Sequence, residues 1–354
     1  MRAAALLPLI LATASLAQTA PPPEQETPFT LRTSSNIVFV PAQVQTKQGE
    51  MIYTLKPEQF VLTDNGVPQK IHVDEDVDSL GLSLVVAVQC SRAAFDQFNN
   101  IRGLAAMIDD ITGGAPRQVA VVSYGGEPTL LGDFTSDPAR LIHNLNQLQP
   151  CDESDAAHLD AVAYSNSLLN DLAAKQNGRY RQAILLISET RDHGSHARPA
   201  DVIAGLGRSN TVLDAVSYNP GRTDILESLF HGRMGPGPIG LLVSAVQAVR
   251  KNVPHTLASL SGGEYVNFSG QHGFDDGLHS LANHIHNYYL LSFQTPSTNP
   301  AGLHRLALTI PDYPDARLHY RLSYYSGEDP PPTLPGDDKD DKDSKDKKDD
   351  KHKF

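Results

Sequence analysis

From Leu82 onward four short runs, "LSLVVAVQ", "QVAVVSY", "QAILLIS" and "TVLDAVSY", are apolar at consecutive positions instead of alternate ones. A strand with one wet face alternates, so continuous runs predict strands covered on both faces. Helices supply such cover, and amphipathic stretches fall between the runs, near Ala93–Thr112, Pro138–Gln147, Ala156–Ala174 and Pro199–Gly205. This alternation predicts an α/β fold with a doubly wound, mostly parallel sheet. "PTLLGDFT" reads as an edge strand closing a hairpin. A helix over Val243–Ser259, a short strand "GEYVNF" and a last helix ending near His286 complete the unit, and the Gly- and Pro-rich "NPGRTDILESLFHGRMGPGPIGLL" reads as a surface insertion.

The flanking segments follow a different rule. From Ile37 to Asp76 apolar and polar residues alternate in short runs broken at Gln48-Gly49 and Asn65-Gly66. Asn-Gly between strand-like runs is a strong hairpin signal. "YYLLSFQ", "HRLALTIP" and "ARLHYRLSYY" alternate in the same way near the other end, which predicts one smaller β-sandwich assembled from N- and C-terminal strands. The expected organisation is a signal peptide over 1–17, a linker over 18–32, an N-terminal β region over 33–78, the α/β domain over 79–287, C-terminal strands over 288–326 and a disordered Pro-rich and Asp/Lys tail over 327–354.

Composition narrows the function. "MRAAALLPLILATASLAQ" has one basic residue, a short apolar run and small residues before the expected cut, which predicts export to the periplasm or beyond. That run is shorter than the roughly 20 residues that span a bilayer, and no later segment is apolar enough, so no transmembrane segment is expected. A formal net charge of −12 without clustered Lys and Arg argues against nucleic acid as a partner. The tail mixes Asp and Lys in near balance, a polyampholyte too poor in apolar residues to order.

The order of these parts carries a family resemblance: "FVLTDNGVPQ" from Phe60 to Gln69, the opening "SLVVAVQCSRA", and the closing "YYLLSF" and "RLSYY". The chain resembles secreted bacterial proteins with a von Willebrand factor A-related domain. In that fold a metal sits at the carboxyl edge of the sheet on a D-x-S-x-S loop, a threonine from a second loop and an aspartate from a third. Hard dications want such oxygen donors. Carried over by position, the resemblance puts the aspartate on Gln89, the serines on Ser91 and Ala93, the threonine on Ala156 and the last aspartate on Glu189. Only Ser91 matches, and Glu189 is a longer carboxylate.

The expectation is therefore a degenerate metal site with no cofactor. The alternative is a site rebuilt for Mg2+ or Mn2+ from Ser91 and Glu189 with Asp152, Glu153, Asp155 or Asp192, although Asp155 also suits a helix N-cap. The resemblance also sets Cys90 and Cys151 on neighbouring loops, which implies a disulfide between them; free buried thiols are the other reading. Partner contact is assigned to Arg92, Arg191, His193 and the Ile225–Ile239 insertion.

An enzyme is not expected. No G-x-S-x-G and no phosphate loop occur, which leaves a distant hydrolase reading in which His193 activates Ser91. His193, His196, His279, His284 and His286 lack the i,i+4 spacing of a helical metal pair. Tyr288, Tyr289, Phe293, Tyr320, Tyr324 and Tyr325 are expected to pack within the sandwich rather than to stack on sugar. The function that follows is a secreted protein-interaction or envelope-scaffold protein without an active site, the alternative being a metal-dependent adhesin.

Overall fold

The computed structural model describes residues 36–74, 80–101, 104–112, 116–177, 180–218, 237–296 and 298–334. The expected signal peptide, the linker, the Asp/Lys tail from 335 on and all but the last residues of the 225–239 insertion lie outside them.

The four continuous apolar runs form β5 (Gly81–Gln89), β6 (Arg117–Tyr124), β8 (Tyr180–Ser188) and β9 (Val212–Ser217). With β7 (Pro128–Thr135) and β10 (Tyr265–Asn267) they make a six-stranded sheet in the order β10-β9-β8-β5-β6-β7. Every pairing is parallel except that of β6 with β7, the expected hairpin edge. Each face has its own core. Val85, Ala87, Ile184 and Leu186 face one side, and Leu84, Val86, Leu185 and Ile187 the other. Burial on both sides is the physical reason these strands do not alternate.

Helices α1 (Leu104–Thr112), α2 (Pro138–Leu145), α3 (His158–Ala173), α4 (Pro199–Ser209), α5 (Gly237–Val249), α6 (Val253–Ser261) and α7 (Gly270–His286) cover the sheet. Three depart from expectation. The stretch expected as one helix from Ala93 opens as a tight 3-10 turn over Arg92–Gln97 before α1. Asn100 bonds there to the Gln97 side chain, a local alternative to helix that Asn readily adopts. The expected helix over Val243–Ser259 is two, because Asn252 accepts the His255 N–H and Pro254 stands at the first turn of α6. Helix α4 runs on past Gly205 to Ser209 and stops where Asn210 turns left-handed.

The flanks form two antiparallel four-stranded sheets. One is ordered β13-β1-β11-β4, from β1 (Asn36–Gln45), β4 (His72–Asp74), β11 (Tyr289–Thr295) and β13 (Arg317–Tyr320); the other is ordered β14-β12-β2-β3, from β2 (Val61–Asp64), β3 (Val67–Pro68), β12 (Gly302–Thr309) and β14 (Ser323–Ser326). Val38, Val40, Leu62, Leu291, Phe293 and Leu306 meet between them, so the sandwich is assembled from both ends of the described chain as its alternation implied. Asn65 and Gly66, with φ of 49° and 85°, join β2 to β3 through two left-handed residues, as a tight hairpin of this sequence requires. Of the aromatic set, Phe293 and Tyr324 pack edge to face in the sandwich, and Tyr289 packs in the same way on Phe60.

One segment expected to lie outside the fold is docked on it. Arg208 donates to the carbonyls of Gly327 and Asp329, and Arg198 to the Pro331 carbonyl and the Thr333 side chain. Leu334 is buried in the α3–α4 side of the core. Proline-rich chain carries unpaired carbonyls, and two arginines on α4 and its entry supply the donors. Residues 327–334, expected in the tail, thus belong to the fold.

Candidate functional site

In an open parallel sheet the ligand crevice lies at the carboxyl edge, where the strand order reverses direction. Here that point is between β5 and β8, and the residues that end them are Gln89 and Ser188, followed by Glu189. The sites assigned to Gln89, Ser91 and Glu189 are brought together. Gln89, 1% exposed, accepts the Glu189 backbone N–H on Oε1 at 2.8 Å. A backbone N–H can only donate, so this bond fixes which end of the amide is oxygen. The amide nitrogen then points to Ser91 Oγ at 2.8 Å and Glu189 Oε1 at 3.0 Å. Ser91 is fully buried and Glu189 half-buried.

The remaining positions do not converge on this cluster. Ala93 is exposed on the 3-10 turn. Ala156 is buried and exchanges two backbone hydrogen bonds of 2.9 Å with His193, tying the second loop to the third. Asp152 pairs with Arg92 in the open at 2.6 Å, and Glu153 accepts the Gly126 N–H. Asp155 is exposed and does not cap α3, a correction: the N-cap position is Ala157, and the free Leu159 N–H goes to Asp192 and Ser195 across the cleft. Among the described residues no group of three or more His, Cys, Asp or Glu is placed to hold a metal ion.

Cys90 and Cys151 form a disulfide with a Cα–Cα distance of 5.1 Å. Two backbone bonds run beside it, Cys151 N–H to Cys90 O and Arg92 N–H to Glu153 O, so the first and second loops are joined at three points. His158, which the sequence did not single out, joins the second to the third: fully buried, it engages Ala156 O and Glu189 O with its two ring nitrogens. The partner that gives it this role, Glu189 O, lies in another loop. With both nitrogens so engaged and His193 exposed, no imidazole among the described residues is bonded to Ser91, whose Oγ instead takes the Gln89 amide.

Beneath the rim lie the buried hydroxyls of Tyr124 and Tyr218. Burial pushes both phenols well above the usual tyrosine range, and the charge of Glu189 adds to the effect at Tyr218. The floor is neutral. Around the rim, Arg92, Phe95, Arg191 and His193 stand exposed, Phe95 to 65%. Phe95 was not singled out by the sequence: it lies in the stretch expected as a helix, which opens instead as an exposed 3-10 turn.

No family model matches the chain, and no curated protein matches it. Among solved structures it is similar to the conserved hypothetical protein BatB from Bacteroides thetaiotaomicron, at 13% identity and a TM-score of 0.41 over 58% of this chain and 98% of that one. It is also similar to the vWF domain of the type V pili tip protein Mfa5 from Porphyromonas gingivalis, at 11% identity and a TM-score of 0.38 over 59% and 96%. Proximal thread matrix protein 1 of the mussel byssus matches at 13% and 0.41 over 64% of this chain and 49% of its own. Counted within the α/β unit, the strand order is 3-2-1-4-5-6 with strand 3 reversed at the edge, and the three loops over the switch point stand where the resemblance put them. The unit has the von Willebrand factor A-like fold. Of the five positions assigned to the metal, Ser91 alone offers a hydroxyl and Glu189 alone a carboxylate, both bonded to the Gln89 amide nitrogen, and a nitrogen of that kind has no lone pair for a cation. These residues do not fit a dication that needs six or more oxygens.

Proposed function

We propose that the protein is a non-enzymatic, exported interaction module in which the Gln89 amide replaces the metal of the A-like fold and the upper rim binds a protein partner directly. The observation that carries this reading is the three-way bond of Gln89 to Ser91, to the Glu189 carboxylate and to the Glu189 backbone. An amide there holds the first and third loops at one distance with no ion, and the disulfide holds the first and second. A rim braced in this way is preorganised, which lowers the entropy lost on binding. Exposed Phe95 flanked by Arg92, Arg191 and His193 has the aromatic and arginine character of an interface centre. Export follows the reading of residues 1–17 and suits a structural disulfide.

The test is to restore the missing ligands. Titration calorimetry with MgCl2 and MnCl2 is expected to show no binding to the wild type and measurable binding to the double variant Gln89→Asp, Ala93→Ser. Micromolar binding to the wild type that disappears in Glu189→Ala establishes the rebuilt adhesin instead. Phe95→Ala and Arg92→Glu are expected to abolish co-purification of an envelope protein that the wild type retains, with the melting temperature unchanged.

A further inference from the structure

At the opposite, amino edge of the parallel sheet a cavity of about 290 Å³ lies between the A-like unit and the sandwich. Its volume is at the small end of ligand pockets, which run from about 300 to 1,000 Å³. Phe39 of β1, Leu82 of β5, Ile285 of α7 and Leu290 of β11 give it apolar walls. Two charged side chains face the same space, Arg181 of β8 and Asp214 of β9.

Among the described residues neither has an opposite charge for a partner. Arg181 donates from one terminal nitrogen to Ile285 O and the Tyr288 hydroxyl, while its Nε is buried with no acceptor. Asp214 is 1% exposed, and one carboxylate oxygen accepts the Glu264 N–H at 2.8 Å. Among the described residues no cation lies within ion-pair distance of it. Burial raises its pKa to about 7, the Glu264 charge adding to the rise, while the Glu264 N–H and the Arg181 charge oppose it, so the two cavity groups sense one another without touching. Buried charge of either sign is unfavourable until matched by an opposite charge and hydrogen bonds.

We propose that this cavity binds a free amino acid with an apolar side chain, its carboxylate on the Arg181 guanidinium, its ammonium on Asp214 and its side chain against Leu82 and Leu290. A simple carboxylate leaves Asp214 unmatched, and a simple amine leaves Arg181 unmatched. The volume admits one residue and not a peptide of several. The site is at the far edge of the sheet from the rim, so it stands or falls apart from the interaction proposed there.

Calorimetric titration of the full chain at pH 8 with apolar L-amino acids, 4-methylpentanoate and 3-methylbutylamine tests it. At least one amino acid is expected to bind, with both single-charge analogues of leucine roughly ten-fold weaker or worse. Arg181→Gln is expected to weaken the amino acid and the carboxylate while sparing the amine, and Asp214→Asn to weaken the amino acid and the amine while sparing the carboxylate. Circular dichroism melting of each variant, with Arg181→Lys as a second variant that keeps the charge and loses the guanidinium edge, separates lost binding from lost fold. No binding by any apolar amino acid at millimolar concentration, or binding that neither Arg181→Gln nor Asp214→Asn changes in folded protein, overturns the proposal.

Discussion

At the carboxyl edge of the central sheet the loops are joined by a disulfide, by backbone pairs and by the uncharged Gln89 amide, whereas the amino edge meets the sandwich through Arg321, which is 1% exposed. Among the described residues no carboxylate neutralises that guanidinium. Its five N–H donors go to Ser323 O, Phe39 O, the Asn210 side chain, Leu206 O and Gly207 O. The last two are terminal carbonyls of α4, which carry the partial negative charge of a helix C-terminus. Burial lowers the Arg321 pKa only to about 10, so the group stays charged at neutral pH. One edge locks its loops with a disulfide, main-chain pairs and an amide; the other buries a guanidinium to join two sheets to a third. A site of recognition gains from fixed geometry, and a junction between stacked layers gains from one side chain that reaches several backbones at once.

The contrast breaks most visibly at Arg321. Arg321→Met fills similar space but takes a donor from five oxygens, of which Asn210 Oδ1 keeps the Phe39 N–H, and the expected loss is about 5 kcal/mol in urea unfolding followed by circular dichroism. Arg321→Lys is expected to recover only part of it, because an ammonium cannot reach both β1 and α4 in the planar fork. A loss under about 1 kcal/mol for the methionine variant makes the guanidinium a passenger at this junction. Next in size is the covalent brace of the rim. The disulfide closes a loop with a sequence separation of 61, worth about 4 kcal/mol in the denatured chain. Replacing both Cys90 and Cys151 with alanine is expected to lower stability by about that much. If the double variant melts with the wild type, the backbone pairs Cys151 to Cys90 and Arg92 to Glu153 already suffice.

These two braces were not equally legible. The parallel sheet was readable because burial on both faces leaves a direct trace, continuous apolar residues, in Leu84–Val88 and Ile184–Ile187. The Asn65-Gly66 turn was readable because its backbone angles select those residues. The position-by-position comparison located Gln89, Ser91 and Glu189, since strand ends fix which loops meet. What Gln89 does there was not readable, because its partner is 100 residues away and an amide gives no local pattern. Arg321 was hidden for the same reason: in "HYRLSYY" it sits where alternation makes it an ordinary outward residue, and only α4, reached through Leu206 and Gly207, turns that outward face into an interior. The docking of Pro331 and Leu334 likewise depends on Arg198 and Arg208, far away in sequence.

The smallest effect sharpens the comparison from the charged side. Burial raises the Asp214 pKa to about 7 in the fold, the Glu264 N–H and the Arg181 charge opposing the rise and the Glu264 charge adding to it. In the unfolded chain an aspartate titrates near about 3.9. Between those values the folded state holds a proton that the unfolded state has released, so stability falls as pH rises from about 4 to about 7 and then levels. Three units correspond to about 4 kcal/mol at most, and relaxation around the neighbouring cavity is expected to leave about 2 kcal/mol. Asp214→Asn keeps the acceptor for the Glu264 N–H and removes the charge. The variant is therefore expected to be more stable than the wild type at pH 8 by about 2 kcal/mol and equal to it at pH 4. Subtracting the two pH profiles cancels the titration of every other group to first order. A difference that grows toward low pH instead would mean that Asp214 is held ionised by a cation, and the amino edge would then resemble an ordinary ion-paired interface, with its charges balanced from within.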